Sequence, residues 1–325
     1  MEQQSLNTEL KAFCLKERER IRNRHQFGID GQEIVLEYTN LADSVVKRIY
    51  RSALEAKIIS EGAPVAILAV GGYGREDLNL YSDIDIIIVY DEKKLKLRYI
   101  EHFATKVITA LWDSGFDIGH SCRSIKECVQ VTTGDIFSRT SMIEARYVVG
   151  AKTVYQKLKK KMSKHIFKTQ VKTFINKKIE EWEDRHQTYG STIYLQEPNI
   201  KESVGGLRDF HTAIWLTSVS YNINKIDQLW KHKIISEALY HKCTESINFL
   251  LRLRNELHHI SGRKNDKLIF ELQEKVSKNL GYKDKSYILA EEFLMRDYYL
   301  HAEQVYEFAK LIIDHTRHQS HSLTH

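Results

Sequence analysis

Residues 71–85 read GGYGREDLNLYSDID, a glycine turn followed by two aspartates at positions i and i+2. The apolar run 65–70 (VAILAV) precedes the turn, and the β-branched run 84–90 (IDIIIVY) begins directly after Asp83. Short apolar runs bounded by turn residues predict buried β-strands. The stretch therefore predicts two strands joined through a glycine turn, with Asp83 and Asp85 where the second strand starts.

The paired aspartates and the glycine turn together indicate a metal and phosphate site. Asp83 and Asp85 are two residues apart on a strand, so their side chains share one face, about 7 Å apart at the backbone. Two carboxylates held so close need a counter-ion, and Mg²⁺ prefers oxygen ligands. Glycines let backbone N–H groups approach phosphate oxygens, and Arg75 offers a bidentate phosphate contact. Each part alone is usually a turn or a strand end facing solvent, whereas their combination is specific.

The segments around these strands have mostly helical spacing. Apolar residues recur at three- and four-residue intervals in residues 5–24 and 31–59 before the strands, and in residues 93–114 after them. This spacing predicts three helices. Residues 116–121 predict a third strand, which would carry Asp117.

From about residue 125 onward the pattern predicts helix, apart from residues 190–208, where glycines and a proline cluster. We therefore predict an α+β fold that is predominantly helical and contains one small mixed sheet. Its divisions would be N-terminal helices in residues 1–60, a sheet-containing core in residues 61–150 and a helical domain in residues 151–325.

The composition limits the class of protein. The chain has 325 residues, of which 42% are hydrophobic and 28% charged, and this excludes a disordered protein. Only 2 prolines and 15 glycines occur, which favours long helices over an all-β sandwich. The four cysteines form no C-x-x-C pair, so neither a disulfide scaffold nor a cysteine zinc site is supported. No apolar run is long enough to cross a bilayer, so we expect a cytoplasmic protein without a membrane partner.

The positive charge is local. The formal net charge is +6, but residues 151–178 contain ten lysines and no acidic residue. Such a run permits an anionic partner, and a lysine-rich helix face is usually only solvated. A nucleic-acid-binding module that uses this basic stretch is therefore one open alternative.

The spacing of ten residues between Gly72 and Asp83 resembles the G-G-x(10)-D-x-D pattern of the polymerase-β-like nucleotidyltransferase superfamily. Within it, the chain is similar to the bacterial protein-PII uridylyltransferase family over five segments in that family's order. These segments are residues 71–90, 111–124, 135–158 (a helical stretch in that family), 197–209 (EPNIKESVGGLRD) and 247–282.

The resemblance implies a nucleotidyltransferase core that transfers UMP from UTP to a tyrosine of the PII signalling protein and releases pyrophosphate. It implies a two-metal Mg²⁺ site on Asp83 and Asp85, with Asp117 as the candidate third catalytic carboxylate. The helical domain would help to bind the nucleotide or the acceptor. The nucleotide-binding residues would be Gly71, Gly72, Arg75, Ser82, Lys201 and Arg208.

Several alternatives stay open at this point. The loop around residues 197–208 is either a surface for the nucleotide or acceptor, or a connection in which Asn199 and Glu202 cap helices. Recurring polar residues after it, including His258 and Asp266, are interpreted as packing or salt bridges. AMP transfer, RNA tailing and a catalytically silent regulatory module are alternative functions. Long family members carry an HD-type hydrolase and two ligand-sensing domains, so we expect at most the transferring half here, as a fragment or a short relative.

Overall fold

The structure, a computed structural model, describes residues 2–95, 97–166 and 170–322. The chain forms two compact units, one of Met1–Arg24 and Ile34–Thr169 and the other of His25–Glu33 and Gln170–His325. The helices and strands of residues 2–166 are, in chain order, α1 (Glu2–Gln26), α2 (Gly31–Glu55), β1 (Val65–Val70), α3 (Gly71–Gly74), β2 (Ile84–Tyr90), α4 (Leu97–Asp113), β3 (Ile118–Ser124), α5 (Ile125–Gly134), α6 (Ile136–Ile143), β4 (Arg146–Gly150) and α7 (Lys152–Ile166).

The first unit contains a four-stranded mixed sheet in the order β3-β2-β1-β4. Strand β1 is antiparallel to both β2 and β4, and β2 is parallel to β3. All six residues of β1 are buried, as is every residue of β2 except half-buried Asp85. Burial on both faces explains why these strands appear in the sequence as continuous apolar runs. The predicted α+β class with a small mixed sheet is confirmed.

Two details of the sheet differ from the sequence prediction. The third strand covers Ile118–Ser124 instead of residues 116–121, so Asp117 precedes the strand. Strand β4 was predicted as helix and lies within the segment 135–158 that was expected to be helical. Its residues RYVVG are too few to show a period, and their strand conformation depends on pairing with β1. The helical prediction for this segment is wrong at β4.

Helix α7 contains the first part of the lysine-rich segment 151–178. Val154, Leu158 and Met162 are buried at four-residue spacing, and α7 packs on β1. Lysines fill the exposed positions, and the Nζ of Lys157 lies 2.7 Å from the carboxylate of Asp91. This pattern is that of an amphipathic helix with a solvated lysine face.

The second unit is helical in its described residues. Its elements are α8 (Val171–Tyr189), α9 (Leu207–Tyr221), α10 (Ile226–Lys231), α11 (Glu237–Ser261), α12 (Phe270–Asn279) and α13 (Ala290–Ser322). Helix α13 packs against α9, α11 and α12, and buries Leu294, Tyr298, Ala302 and Val305. Lys178 of α8 is buried beside Trp215 and pairs with Glu181. In the described ranges, no helix has the length and apolar composition needed to cross a membrane.

Candidate active site

The carboxylate of Asp85 lies against two glycines, Gly71 at the start of the glycine turn and Gly119 on β3. Asp85 pairs with Val70 at the end of β1 and with Gly119 on β3. A Cβ atom at Gly119 would lie 2.1 Å from Oδ1 of Asp85, and one at Gly71 would lie 2.7 Å from Oδ2. Gly71 also has a φ of +59°, which disfavours other residues. Only glycine at both positions leaves room for the half-buried carboxylate; we call this arrangement the Asp85 cradle.

The other two predicted carboxylates lie at the same edge of the sheet. Asp83 is exposed and precedes β2, two residues before Asp85. Asp117 is exposed and precedes β3, and its carbonyl oxygen accepts a hydrogen bond of 2.9 Å from the N–H of Ile84. Because Ile84 pairs with Ile118, the register places Asp117 beside Asp83. The fold thus places the backbones of the three aspartates at one edge of the sheet.

The glycine turn begins directly at the end of β1. The N–H of Arg75 donates to the carbonyl of Gly71, and the N–H of Asp77 donates to the carbonyl of Gly72, which closes the turn. The Arg75 guanidinium is bound by Glu144 and by Asp77, the latter at 3.1 Å. Arg75 therefore braces the turn in this structure, and its contact with phosphate stays a prediction.

A buried network fixes Tyr73 in the middle of the turn. Its hydroxyl donates to Asp43 at 2.7 Å, and Arg146 donates two hydrogen bonds of 2.9 Å to the same carboxylate. Burial alone would raise the pKa of Asp43, but the hydrogen bonds from Arg146 and Tyr73 hold that pKa below its usual value. The network connects α2, the glycine turn and β4, so it restricts movement of the turn. Asp43 and Arg146 lie 30 and 73 residues from Tyr73 in the chain, so no local pattern in the sequence indicates them as its partners.

Ser82 lies one residue before Asp83, in the connection that follows the glycine turn. It is half-buried, and its N–H donates to the carbonyl of Asn79 at 3.1 Å. Ser82 and Asp117 both line a small cavity of the first unit. The predicted nucleotide residue is therefore next to the aspartates.

The donor set at this edge suits Mg²⁺. Asp83 and Asp85 offer only carboxylate oxygens, the ligand type that Mg²⁺ prefers. No complete site of three or more His, Cys, Asp and Glu side chains occurs within the described residues. Mg²⁺ is commonly held by one or two carboxylates, with substrate phosphates and water as its other ligands. The Asp85 cradle keeps one such carboxylate in place, so the residues present fit the metal.

The remaining predicted site residues, Lys201 and Arg208, lie in the second unit. The N–H of Arg208 donates to the carbonyl of Lys201 at 2.8 Å, which places these residues side by side. Both cations lie near Glu202, Lys201 at 3.5 Å and Arg208 at 3.3 Å. Burial and the neighbouring Arg208 lower the pKa of Lys201. The pair is a compact, partly exposed cationic group.

The segment before Arg208 is a closed turn. The side chain of Asn199 accepts hydrogen bonds from the N–H groups of Lys201 and Glu202, at 3.0 and 2.8 Å. Asn199 therefore closes a turn within the loop, and the alternative in which Asn199 and Glu202 cap helices is wrong, because the N-cap of α9 is Gly206 and no side chain caps that helix. At its other end, Asp209 is fully buried and accepts from Arg185, from His186 and from the N–H of Gly205. The loop is held by its own polar side chains.

Asp266 forms a second buried network in this unit. It accepts hydrogen bonds from Arg254 at 2.7 Å and from His258 at 3.0 Å. Burial would raise the pKa of Asp266, but the hydrogen bond from His258 and the charge of Arg254 hold it far below the usual range. The interpretation of these residues as structural partners agrees with the contacts.

The second unit should lose stability in acid because of Asp266. A carboxylate with a depressed folded pKa contributes stability that is present above the unfolded pKa of about 4 and is lost as the pH falls below it. We expect about 2 kcal/mol to be lost through this group between pH 5 and pH 2. Urea unfolding at several pH values would measure it. An Asp266→Asn variant should be less stable at pH 6 and show a flatter acid dependence; an unchanged slope would contradict this role.

The sheet, the glycine turn and the aspartates at one sheet edge are the features that the nucleotidyltransferase resemblance predicts for the first unit. Residues 18–123 match the DUF294 nucleotidyltransferase family. Residues 173–313, in the second unit, match the GlnD PII-uridylyltransferase family. The resemblance predicted from the five sequence segments is confirmed, and it extends over both units.

Similar curated proteins agree with this family resemblance. The chain is 32% identical over 300 residues to a bifunctional uridylyltransferase/uridylyl-removing enzyme of Caulobacter vibrioides. The matched region covers 91% of the chain and 32% of that protein. It is 34% identical over 306 residues to the corresponding enzyme of Nitrosococcus oceani, covering 94% of the chain and 33% of that protein. The chain thus spans about a third of the length of the curated relatives it matches.

Proposed function

We propose that this chain is a Mg²⁺-dependent nucleotidyltransferase that transfers UMP from UTP to a tyrosine hydroxyl of a PII-type signalling protein. The observation that carries the proposal is the Asp85 cradle, with Asp83 and Asp117 at the same sheet edge and the glycine turn beside them. The uridylyltransferase names of the relatives support UTP in preference to ATP, and the match to the PII-uridylyltransferase family supports PII in preference to RNA.

Each group at the edge has a role in this proposal. Asp83 and Asp85 would hold Mg²⁺, which supplies charge stabilisation to the phosphates and orients them. The backbone N–H groups of Gly71 and Gly72 would contact the triphosphate, because the absence of Cβ atoms permits a close approach. Asp117 is our third carboxylate, and its register beside Asp83 supports this assignment.

The reaction is a displacement at the α-phosphorus. The acceptor hydroxyl gives up its proton to solvent, its oxygen forms a bond to that phosphorus, the bond from the α-phosphorus to the oxygen that bridges to the β-phosphate breaks, and pyrophosphate leaves. Holding the phosphates in fixed positions accelerates this step, because the reacting groups are already oriented and less entropy is lost on reaching the transition state. The buried Asp43, Tyr73 and Arg146 network supports such fixed positions, since it restricts the glycine turn.

The second unit contributes cations in this proposal. Lys201 and Arg208 are partly exposed and adjacent, and a Lys and Arg pair suits a phosphate group or an acidic part of the acceptor. Glu202 neutralises part of the charge of Lys201 and Arg208. An anion that binds these two residues would therefore replace Glu202 as their partner. We propose nucleotide binding for this pair.

Labelled nucleotides test the proposal directly. The chain would be incubated with Mg²⁺, a PII protein and UTP or ATP labelled at the α-phosphate. We expect label on PII from UTP, none when the acceptor tyrosine of PII is replaced by phenylalanine, and none with an Asp83→Asn/Asp85→Asn variant. Equal labelling by that variant would refute the assigned site. Transfer from ATP alone would retain nucleotidyl transfer and reject UTP.

A further inference from the structure

A small cavity of the first unit lies beside the aspartates. Its lining contains both polar and apolar residues, and the polar ones include Arg18, Tyr38, Ser82 and Asp117. The cavity offers about 40 Å³, enough for a few waters or hydroxyl groups and too little for a nucleobase ring. Its size therefore selects small polar groups.

Two hydroxyl groups of this lining are buried without a hydrogen-bond partner among the described residues. They are the phenolic oxygen of Tyr38, a residue that is 3% exposed, and the Oγ of Ser82. A buried polar atom without a partner costs about 1–3 kcal/mol, so such atoms are normally satisfied by water or by a ligand. Two of them at one small cavity indicate that a polar group belongs there.

The chemistry of the lining suits a hydroxyl group. Arg18 can only donate hydrogen bonds, whereas the carboxylate of Asp117 can only accept them, and Tyr38 and Ser82 can do both. Arg18 is held at the cavity by a 2.8 Å hydrogen bond to the carbonyl of Gly115 and by the ring of Phe116. A phosphate would meet repulsion from Asp117, whereas a hydroxyl group both donates and accepts.

The position of the cavity identifies which hydroxyl could enter it. Ser82 directly precedes Asp83, and Asp117 lies beside Asp83 in the register of the sheet. In a nucleotide whose phosphates are held at Asp83 and Asp85, the sugar is joined to the α-phosphate through a single oxygen. The sugar is thus the hydroxyl-bearing part of the substrate nearest to this cavity.

We infer that the cavity beside Ser82 and Tyr38 receives a sugar hydroxyl of the nucleotide, so that the site discriminates a nucleotide from the analogue that lacks this hydroxyl. This inference rests on the proposed function, because it assumes that the phosphates bind at Asp83 and Asp85. Tyr38, on α2, and Ser82 would be specificity-determining residues. A hydrogen bond to one hydroxyl corresponds to about a fivefold difference in affinity.

Calorimetric titration of the full chain with Mg²⁺ and UTP, 2′-deoxy-UTP or 3′-deoxy-UTP tests the inference. We expect UTP to bind about fivefold more tightly than at least one deoxy analogue. Tyr38→Phe or Ser82→Ala should weaken UTP to the level of that analogue and leave the analogue's affinity unchanged. Tyr50→Phe is the matched control, because Tyr50 is a buried tyrosine on the same helix that does not line the cavity.

The possible outcomes separate this inference from the proposed function. Equal affinities for UTP and both deoxy analogues would overturn the sugar subsite, as would a Tyr38→Phe variant that weakens all three ligands alike. A variant that changes the preference between UTP and CTP but not between UTP and its deoxy forms would also overturn it, in favour of a base contact. Absence of nucleotide binding, with Asp83→Asn/Asp85→Asn identical to the wild type, would overturn both.

Discussion

A Gly119→Ala variant is expected to fold normally and to lose about 100-fold or more of the nucleotidyl-transfer activity. The new Cβ would lie 2.1 Å from Oδ1 of Asp85, far inside the contact distance of two atoms. The strand cannot move without breaking its register with β2, so the carboxylate of Asp85 must turn away instead. A displacement of about 1 Å at a reacting centre can cost this much rate.

The labelled-UTP transfer assay measures this loss, and a thermal melt checks the fold. Gly134→Ala is the matched control, because Gly134 ends α5 in the same unit and a Cβ there would contact nothing within 4 Å. The control should retain full activity. A Gly119→Ala variant with wild-type activity would show that the position of the Asp85 carboxylate does not matter for transfer.

The local part of this site could be predicted from the sequence. Strand geometry places residues i and i+2 on one face, so Asp83 and Asp85 were recognisable as a pair from their spacing alone. The buried strands were predicted with the observed bounds, since β1 and β2 are continuous apolar runs between turn residues. Those features depend only on neighbours in the chain.

The contacts made across strands could not be predicted in the same way. Gly119 reaches Asp85 through the register of β2 and β3, and Asp43 reaches Tyr73 from a preceding helix. A glycine inside a strand often indicates that another group approaches the backbone closely. Gly119 could therefore be recognised as such a position from the sequence, but the approaching group, Asp85, could not. Strand β4 was missed for a related reason: its five residues become a strand by pairing with β1.

The two loops marked by glycines differ in how their polar groups are used. At the aspartate edge, Asp83 and Asp117 are exposed. In the segment 197–209, Asp209 is fully buried and satisfied by partners of its own unit. Clustered glycines in the sequence thus indicated both loops. Burial distinguishes them, because Asp83 and Asp117 at the sheet edge are exposed whereas the carboxylate of Asp209 stabilises the folded loop.

Gly205→Ala should therefore affect stability, by about 2–5 kcal/mol in the second unit. Gly205 has a φ of +75°, and its Cβ would lie 2.2 Å from the backbone carbonyl oxygen of Ala302 on α13. Backbone cannot yield as a flexible side chain can, so α9 and α13 would have to separate. The N–H of Gly205 also donates to Asp209 at 2.8 Å, and a shifted turn would weaken that buried carboxylate's hydrogen bonds.

Urea unfolding followed by tryptophan fluorescence measures this change, because three of the four tryptophans, Trp182, Trp215 and Trp230, lie in the second unit. Gly262→Ala is the matched control: Gly262 has a similar φ of +62° with nothing within 4 Å of a new Cβ. That variant should lose only the backbone strain, about 1–2 kcal/mol. If both variants lost the same stability, the approach of Ala302 would contribute nothing, and the close packing of the loop on α13 would not be what requires glycine at position 205.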